Sequence, residues 1–204
     1  MIVPDYHTSQ EEILMLKDLL LKNRSYRRFD ARHTIGRPIL LELIEHARLC
    51  ASAANLQPLK YFLSCEPADN ANVFKCLKWA GYLRPQWTGP AESEQPTAYI
   101  VICGDTAIAS NVDCDHGIVS QTILLAAVEQ NLGGCIIGSI DRETLRKDLA
   151  LPLQYEILIV VALGKPAETC IVEKCAEINC IKYWRDDKSV HHVPKRSLTE
   201  MVIN

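Results

Sequence analysis

The segment that most constrains the fold is residues 116–130, which have helical spacing and are apolar around nearly the whole circumference. A helix of this kind has no face suited to water, so it must be covered on every side. The chain has 204 residues, which is enough for one sizeable hydrophobic core but crowded for two. We therefore predict a single domain over residues 1–204, with a dimer interface as a natural place to bury part of this helix.

The elements around that helix follow from hydrophobic periodicity and from turn residues. Apolar residues recur every three to four positions in helical segments, whereas the strand candidates are short, continuous apolar runs. Gly133 and Gly134 are expected to end the central helix in the left-handed conformation, and Asp141 is a typical N-cap for the next helix. The predicted helices are 11–21, one opening at Pro38, 71–79, 116–130 and 142–149, and the predicted strands are 61–65, 99–103, 157–163 and 201–203.

Composition and charge exclude several classes of function. The net charge of −3 argues against a general affinity for nucleic acid, which needs a broad basic surface. The N-terminus has no signal-peptide pattern, and the apolar runs are too short to span a bilayer, so we expect a cytoplasmic protein without membrane contact. The nine cysteines include no C-x-x-C pair and are interpreted as free, mostly buried thiols. Cys170, Cys175 and Cys180 are evenly spaced but lack a fourth ligand nearby, so no metal site is predicted.

Residues 23–29, Asn-Arg-Ser-Tyr-Arg-Arg-Phe, directly follow the first predicted helix. Guanidinium groups bind phosphate oxygens in a bidentate manner, and an adjacent hydroxyl adds a donor. The segment is therefore a candidate phosphate site, although a solvated basic loop is the alternative that charge pattern alone leaves open.

Two further segments have the chemistry of a site for a flat heterocycle. Residues 52–58, Ser-Ala-Ala-Asn-Leu-Gln-Pro, offer amide side chains that both donate and accept hydrogen bonds. Residues 131–139, Asn-Leu-Gly-Gly-Cys-Ile-Ile-Gly-Ser, are small enough for backbone amides to approach a ring. Neither segment is a G-x-G-x-x-G fingerprint, so a Rossmann dinucleotide site is not predicted. The alternative for the first of them is a turn between a helix and a strand.

Taken in this order and spacing, the three segments resemble the nitroreductase family of FMN-dependent oxidoreductases. Residues 24–27 match its Arg-Ser-x-Arg segment, residues 52–58 match its Ser-Ala-x-Asn-x-Gln-Pro segment, and residues 131–139 match its glycine-rich turn. Residues 163–166 and 193–196 fit its closing segments, so the resemblance covers the chain from about Asn23 onward. Two departures are Leu59, where the family often has an aromatic residue, and Asn23, where it often has a basic one.

The resemblance implies a fold, a partner and a cofactor. The fold would be α+β, with a mixed, mostly antiparallel sheet packed between helices in an intertwined homodimer. Residues 165–204 would form an extended C-terminal tail that reaches the partner subunit, because this aromatic and charged segment is better suited to a partner surface than to a core of its own. His191 and His192 in this tail are interpreted as packing residues. Two FMN molecules would be bound at the dimer interface.

The resemblance also assigns roles to single residues. Arg24, Ser25, Lys195 and Arg196 would bind the FMN phosphate and ribityl chain, and Arg27 would lie at the N1 and O2 edge of the isoalloxazine. The partner's copy of residues 52–57 would line the ring, and backbone amides of residues 137–139 would reach N5 and O4. The remaining implied cofactor ligands are Ser52, Ala53, Asn55, Gln57, Ile137, Gly138 and Ser139.

The chemistry would then come from the flavin, without a catalytic side chain. We expect ping-pong reduction of a nitroaromatic, quinone-like or related small electron acceptor by NADH or NADPH. A substrate pocket is expected where residues 79–93 meet the tail. The alternative from another class is a non-enzymatic flavin-binding or thiol-rich redox-sensing protein. The aromatic residues expected at the pocket are Tyr82, Trp87, Tyr183 and Trp184.

Overall fold

A computed structural model describes residues 15–175 and 180–203 of the chain. The α-helices in these residues are α1 (Leu16–Lys22), α2 (Arg37–Arg48), α3 (Pro67–Lys75), α4 (Asp115–Glu129), α5 (Arg142–Asp148) and α6 (Leu198–Met201). The strands are β1 (Leu59–Ser64), β2 (Ala98–Asp105), β3 (Gly133–Ile137), β4 (Tyr155–Gly164), β5 (Cys170–Lys174), β6 (Trp184–Arg185) and β7 (His191–Lys195).

The centre of the fold is a four-stranded sheet in the order β1-β2-β4-β3, in which every neighbouring pair is antiparallel. All eight residues of β2 are buried, because helices cover both faces of the sheet. A strand covered on both faces has no solvated face and reads as a continuous apolar run, which is why these segments are recognisable. The predicted strands 61–65, 99–103 and 157–163 are confirmed, with shifts of one or two residues at their ends.

Side chains of β2 alternate between two hydrophobic clusters, one on each face of the sheet. Ile100 and Ile102 pack with α2 and α4, whereas Tyr99 and Val101 pack with α3 and α5. The chain thus has the predicted α+β architecture of a sheet packed between helices. The antiparallel sheet is accompanied by one parallel pair, β5 with β7, in a second, smaller sheet.

Helix α4 confirms the predicted apolar helix at residues 116–130. Ile123 and Ala127 are fully buried against the sheet and α2. Ile118, on another side of the helix, is 39% exposed in the single chain. The helix is therefore only partly covered within one copy, and its burial in a dimer stays a prediction.

The predicted glycine cap of α4 is wrong. Asn131 adopts the left-handed conformation, with φ 56°, directly after the helix. The amide of Leu132 donates to the carbonyl of Ala127 at 2.9 Å, and that of Asn131 to Val128 at 3.0 Å, which together form a Schellman motif. Asparagine tolerates this conformation better than most residues, so the left-handed cap lies at Asn131, two residues before Gly133.

Gly133 and Gly134 instead begin β3, where they permit close backbone approach. A Cβ atom on Gly134 would lie 2.4 Å from the carbonyl oxygen of Ala162, and one on Gly133 would lie 2.6 Å from the ring of Tyr26. The amide of Tyr26 donates to the carbonyl of Gly134 at 3.0 Å, and Ser25 forms a parallel bridge with Gly134. These glycines therefore hold the cationic segment 24–27 along the free edge of β3.

The C-terminal segment is folded rather than fully extended. Strands β5, β7 and β6 form a three-stranded sheet in that order. The predicted strand at 201–203 is wrong, because Ser197 and Glu200 form a capping box that starts helix α6. Contact of this segment with a partner subunit stays a prediction.

The remaining helices agree with the sequence patterns to within a turn or two. Helix α1 lies within and just beyond the predicted helix 11–21, whose first four residues lie outside the described part of the chain. Helix α3 begins at Pro67 and ends before Trp79, and α5 has the predicted Asp141 cap, which accepts from the amide of Thr144 at 3.1 Å. Across residues 15–175 and 180–203, no helix has the length and hydrophobicity that a membrane span requires.

Candidate functional site

A cleft of ≈ 360 Å³, here called the basic cleft, lies between the end of α1, helix α4 and the small C-terminal sheet. It is formed where segment 24–27, held on the edge of β3, faces strand β7. Residues far apart in the sequence therefore share one wall, as the candidate phosphate site requires. The polar and aromatic residues that line it include Arg24, Ser25, Arg27, Tyr183, His191 and Lys195.

Arg24 is tied to the end of α1 but keeps unused donor capacity. Its Nη2 donates to the carbonyl of Leu20, one turn earlier in the helix. Its Nε is buried and has no hydrogen-bond partner among the described residues. A buried donor without an acceptor is unfavourable, so an anionic ligand in the cleft would stabilise this arrangement.

Arg27 is held by neutral groups. Its Nη1 lies 3.2 Å from the carbonyl of Ser25 and 3.2 Å from Nε2 of His191. The guanidinium carbon lies 4.7 Å from the centroid of the Tyr183 ring, a cation–π contact. Among the described carboxylates, none forms an ion pair with this guanidinium.

His191 is a site residue that the sequence does not predict. It is 1% exposed and lines the cleft on the same side of β7 as Val193 and Lys195. Burial, together with the positive charges of Arg27 and Arg185, lowers the pKa of His191 to about 4, so the ring is neutral at neutral pH. The alternation of His191, Val193 and Lys195 along a strand is the signal that groups them.

The two C-terminal cations predicted as phosphate ligands lie in different places. Lys195 lines the basic cleft, where it makes no ion pair with a described carboxylate. Arg196 follows β7, does not line the cleft, and lies 3.8 Å from Oε1 of Glu200. The role of Arg196 as a ligand stays a prediction.

Residues 52–57 form a strained, outward-facing turn, here called the presented turn. Ala54, Asn55 and Gln57 have φ angles of 48°, 55° and 52°, which residues other than glycine rarely adopt. The side chains of Ala53, Asn55 and Gln57 are exposed, and none of them lines the basic cleft of the same chain. The turn is thus available to a surface outside this chain.

The presented turn is fixed from below by Asp115, which the sequence does not predict as part of the site. Ser52 Oγ donates to Asp115 Oδ2 at 2.6 Å, and the amide of Ala53 donates to Asp115 Oδ1 at 3.1 Å. The amide of Gln57 in turn donates to Ser52 Oγ at 2.9 Å. The Ser52 hydroxyl therefore braces the turn.

Residues 137–139 lie at the end of β3, beyond the cleft-lining Ile136. Ile137 packs into the core, whereas Gly138 and Ser139 are exposed. Their carbonyls accept from Arg142 Nη2 at 3.3 Å and from the amide of Lys78 at 3.0 Å respectively. These bonds fix the backbone and leave the exposed side of the segment open.

A second cavity, the aromatic cavity, has a volume of ≈ 420 Å³ and lies beside the basic cleft. The rings of Tyr82 and Tyr183 lie 4.9 Å apart, and Arg185 lies 5.0 Å from the centroid of Trp87. Trp184 also lines this cavity. The meeting of residues 79–93 with the C-terminal segment is confirmed, and Tyr183 lines both cavities.

Eight cysteines, at positions 50, 65, 76, 103, 114, 135, 170 and 180, are free thiols. Cys76, Cys103 and Cys135 are buried as predicted, whereas Cys114 and Cys180 are exposed. Within the described ranges, no group of three or more His, Cys, Asp or Glu side chains is placed to hold a metal ion.

Comparison with solved structures gives the same fold. A Parabacteroides distasonis protein assigned as an NADH dehydrogenase or NAD(P)H nitroreductase is 25% identical, with a TM-score of 0.62 over 75% of this chain and 88% of its own. An FMN-dependent nitroreductase from Clostridium difficile is 21% identical, with a TM-score of 0.59 over 79% and 91%. A nitroreductase assigned in Exiguobacterium sibiricum and solved in complex with FMN is 16% identical, with a TM-score of 0.63 over 78% and 92%.

A sequence model described as the nitroreductase family matches residues 20–165, more than two thirds of the chain. The match contains the cationic segment, the presented turn and β3. The chain belongs to the nitroreductase family of oxidoreductases.

Proposed function

We propose that the protein is an FMN-dependent oxidoreductase that uses NADH or NADPH to reduce nitroaromatic, quinone-like or related small electrophiles. The observation that carries this proposal is the set of three cations in the basic cleft, Arg24, Arg27 and Lys195, which form no ion pair with a described carboxylate. Uncompensated cations repel one another, so a cleft that gathers them is suited to an anion.

The residues present fit the phosphate end of FMN. Arg24 contributes a buried Nε without a partner in the described residues, Ser25 a hydroxyl, and Lys195 a compact charge. Guanidinium and ammonium groups bind phosphate through charge-assisted hydrogen bonds. These three residues would hold the phosphate, with Arg196 as a further candidate from the same strand end.

Arg27 fits the ring end. The redox chemistry at this end, hydride and electron transfer between a nicotinamide and the second substrate, would be supplied by FMN when bound. A fixed guanidinium stabilises negative charge that develops beside it, and it does so best where water is excluded. Arg27 would therefore favour the reduced state of the cofactor from the N1 and O2 edge.

The other wall of the ring site would come from a second copy of the chain. Ala53, Asn55 and Gln57 are exposed on the presented turn and do not reach the basic cleft of their own chain. A homodimer would place the partner's turn against the cleft and would also cover the exposed side of α4. One site would then serve donor and acceptor in turn, which gives ping-pong kinetics.

The thiol-sensor alternative is less well supported. A reactive cysteine needs a lowered pKa, because the thiolate is the nucleophile. Burial instead raises the pKa of Cys103 to about 11 and that of Cys170 to about 12. Free thiols of this kind fit a reducing compartment such as the cytoplasm, where we expect the protein to act.

The test is an anaerobic titration of the purified protein followed by steady-state assays. We expect a yellow dimer whose visible absorption is bleached by NADH or NADPH and restored by a nitroaromatic or quinone acceptor over many turnovers. A protein that is reduced once and passes no electrons on would support the sensor. A colourless protein that does not take up added FMN would overturn the proposal.

A further inference from the structure

The basic cleft contains a buried titratable group for which the proposed function has no role, the imidazole of His191. The residue is 1% exposed, and its Nε2 lies 3.2 Å from Nη1 of Arg27. Its ring centroid lies 5.3 Å from that of Tyr183, the ring over which Arg27 stacks. His191 and Tyr183 therefore contact the same guanidinium from different directions.

The pairing with Arg27 defines the protonation state of the ring. A guanidinium can only donate, so Nε2 must be the acceptor and the proton must lie on Nδ1. Nδ1 is buried and has no partner among the described residues. A second proton would place a cation against Arg27 in a buried site, and burial together with Arg27 and Arg185 lowers the pKa of the ring to about 4. His191 is thus a neutral acceptor.

The neighbouring arginines are held differently. Arg28 lies 2.6 Å from Glu94, and Arg185 lies 2.7 Å from Glu168. A carboxylate fixes a guanidinium but also cancels most of its field at a distance. A neutral imidazole fixes it through the hydrogen bond alone and leaves the unit charge in place.

We propose that His191 is a positioning residue that orients Arg27 toward the flavin ring edge without neutralising it. This role rests on the proposed function, and it adds a residue that raises the preference of the site for reduced FMN. The substrate and the electron donor do not enter into the role, so it can be measured in binding alone.

Strand β7 provides a matched control. His192 lies on the opposite face, where Nδ1 is 3.0 Å from Glu173 and Nε2 is 3.3 Å from Asp186. A His192→Gln variant changes the same residue type, on the same strand, outside the cleft.

The experiment measures the ratio of the FMN dissociation constants in the oxidised and reduced states, on the purified dimer, for the parent and four variants. For His191→Glu we expect the preference for reduced FMN to fall by about tenfold or more, because the new charge offsets that of Arg27. This corresponds to a fall of about 30 mV or more in the two-electron potential. For His191→Phe, which lacks the acceptor, we expect a smaller fall of about threefold.

The conservative variant separates positioning from packing. His191→Gln restores an acceptor near the position of Nε2, so we expect a ratio within about twofold of the parent, as for His192→Gln. Unchanged ratios in His191→Glu and His191→Phe would overturn the positioning role while leaving FMN binding intact. If His191→Glu does not fold, His191→Phe against His191→Gln decides the question. A parent protein that binds no FMN would overturn the proposed function itself, and this role with it.

Discussion

The two faces of β7 place adjacent histidines in opposite electrostatic surroundings. His191 faces the basic cleft, where burial and two arginines lower its pKa to about 4. On the other face, His192 stacks on Trp184 with ring centroids 4.1 Å apart. Hydrogen bonds and charge from Glu173 and Asp186 raise the pKa of His192 despite its desolvation. One residue type is thus a neutral hydrogen-bond acceptor on one side of the strand. On the other side it is an imidazole bound by two carboxylates, which favour its protonated form.

The cations around the small sheet also fall into two groups, according to whether a carboxylate pairs with them. On the cleft face, Arg24, Arg27 and Lys195 have no carboxylate partner among the described residues. On the same face of the small sheet, Arg185 pairs with His191 across β6 and β7, but its guanidinium is bound by the buried carboxylate of Glu168, whose side chain is 1% exposed. Charges that hold the fold together are paired, whereas charges left unpaired are gathered where a ligand can use them.

The largest expected effect comes from removing the buried carboxylate that pairs with Arg185. In Glu168→Ala, the guanidinium of Arg185 and the backbone amides of Arg27 and Arg28 lose their shared acceptor. We expect the free energy of unfolding to fall by about 3–5 kcal/mol, measured by urea denaturation. Glu173→Ala, on the exposed side of the sheet, should lower the free energy of unfolding by much less. Equal losses would break the distinction between the two faces.

The pH dependence of stability should differ in sign between the two histidines. The pKa of His191 lies below its unfolded value, so the unfolded chain binds the proton first and stability falls as the pH drops from 6.5 toward 4. We expect the parent to lose about 3 kcal/mol more than His191→Gln over this range. His192 has a raised pKa, so its contribution is present at low pH and is lost as the pH rises through the folded value. Parallel curves for the parent and His191→Gln would contradict this assignment.

Arg24→Ala tests a cation of the basic cleft that has no carboxylate partner among the described residues. The variant removes a guanidinium whose Nε has no partner in the described part of the chain, so the fold should be little affected. We expect FMN affinity to fall by about 10- to 100-fold, as for loss of a charged hydrogen-bonding group. Riboflavin, which lacks the phosphate, is the matched control ligand. If affinity for FMN and riboflavin falls equally, Arg24 does not bind the phosphate.

The smallest expected effect is a difference in FMN affinity between alanine variants of two adjacent cations at the end of β7. Lys195 lines the cleft, whereas Arg196 lies beside Glu200. We expect Lys195→Ala to weaken FMN binding by about fivefold and Arg196→Ala by no more than about twofold, measured by fluorescence titration. An equal or larger loss in Arg196→Ala would mean that dimer formation or FMN moves Arg196 to the phosphate.

The sequence predicts the central architecture because the signals there are local. The apolar runs of β1, β2 and β4 and the all-round apolar surface of α4 define a buried sheet and helix without any knowledge of distant contacts. The predicted helix cap at Gly133 and Gly134 is wrong because glycine is used both in caps and where two backbones approach closely. Only the positions of Tyr26 and Ala162 reveal that the second use applies.

The candidate site is predictable only in part for the same reason. Family resemblance identifies Arg24, Ser25 and Lys195, which the structure brings to one cleft. The place of His191 depends on which face of β7 turns inward, and that is set by the pairing of β7 with β5. The bond from Ser52 to Asp115 joins residues 63 positions apart, a separation that leaves no trace in a local pattern.

Tyr183 forms a wall common to the basic cleft and the aromatic cavity. A substitution selected at this position for a bulkier or smaller acceptor would also alter the surface on which Arg27 rests. Under the proposed function, substrate range and the redox potential of the bound cofactor would therefore be coupled through this one ring. Divergence toward a new substrate in such an enzyme would carry a shift in redox behaviour with it, and compensating changes would be expected around the guanidinium.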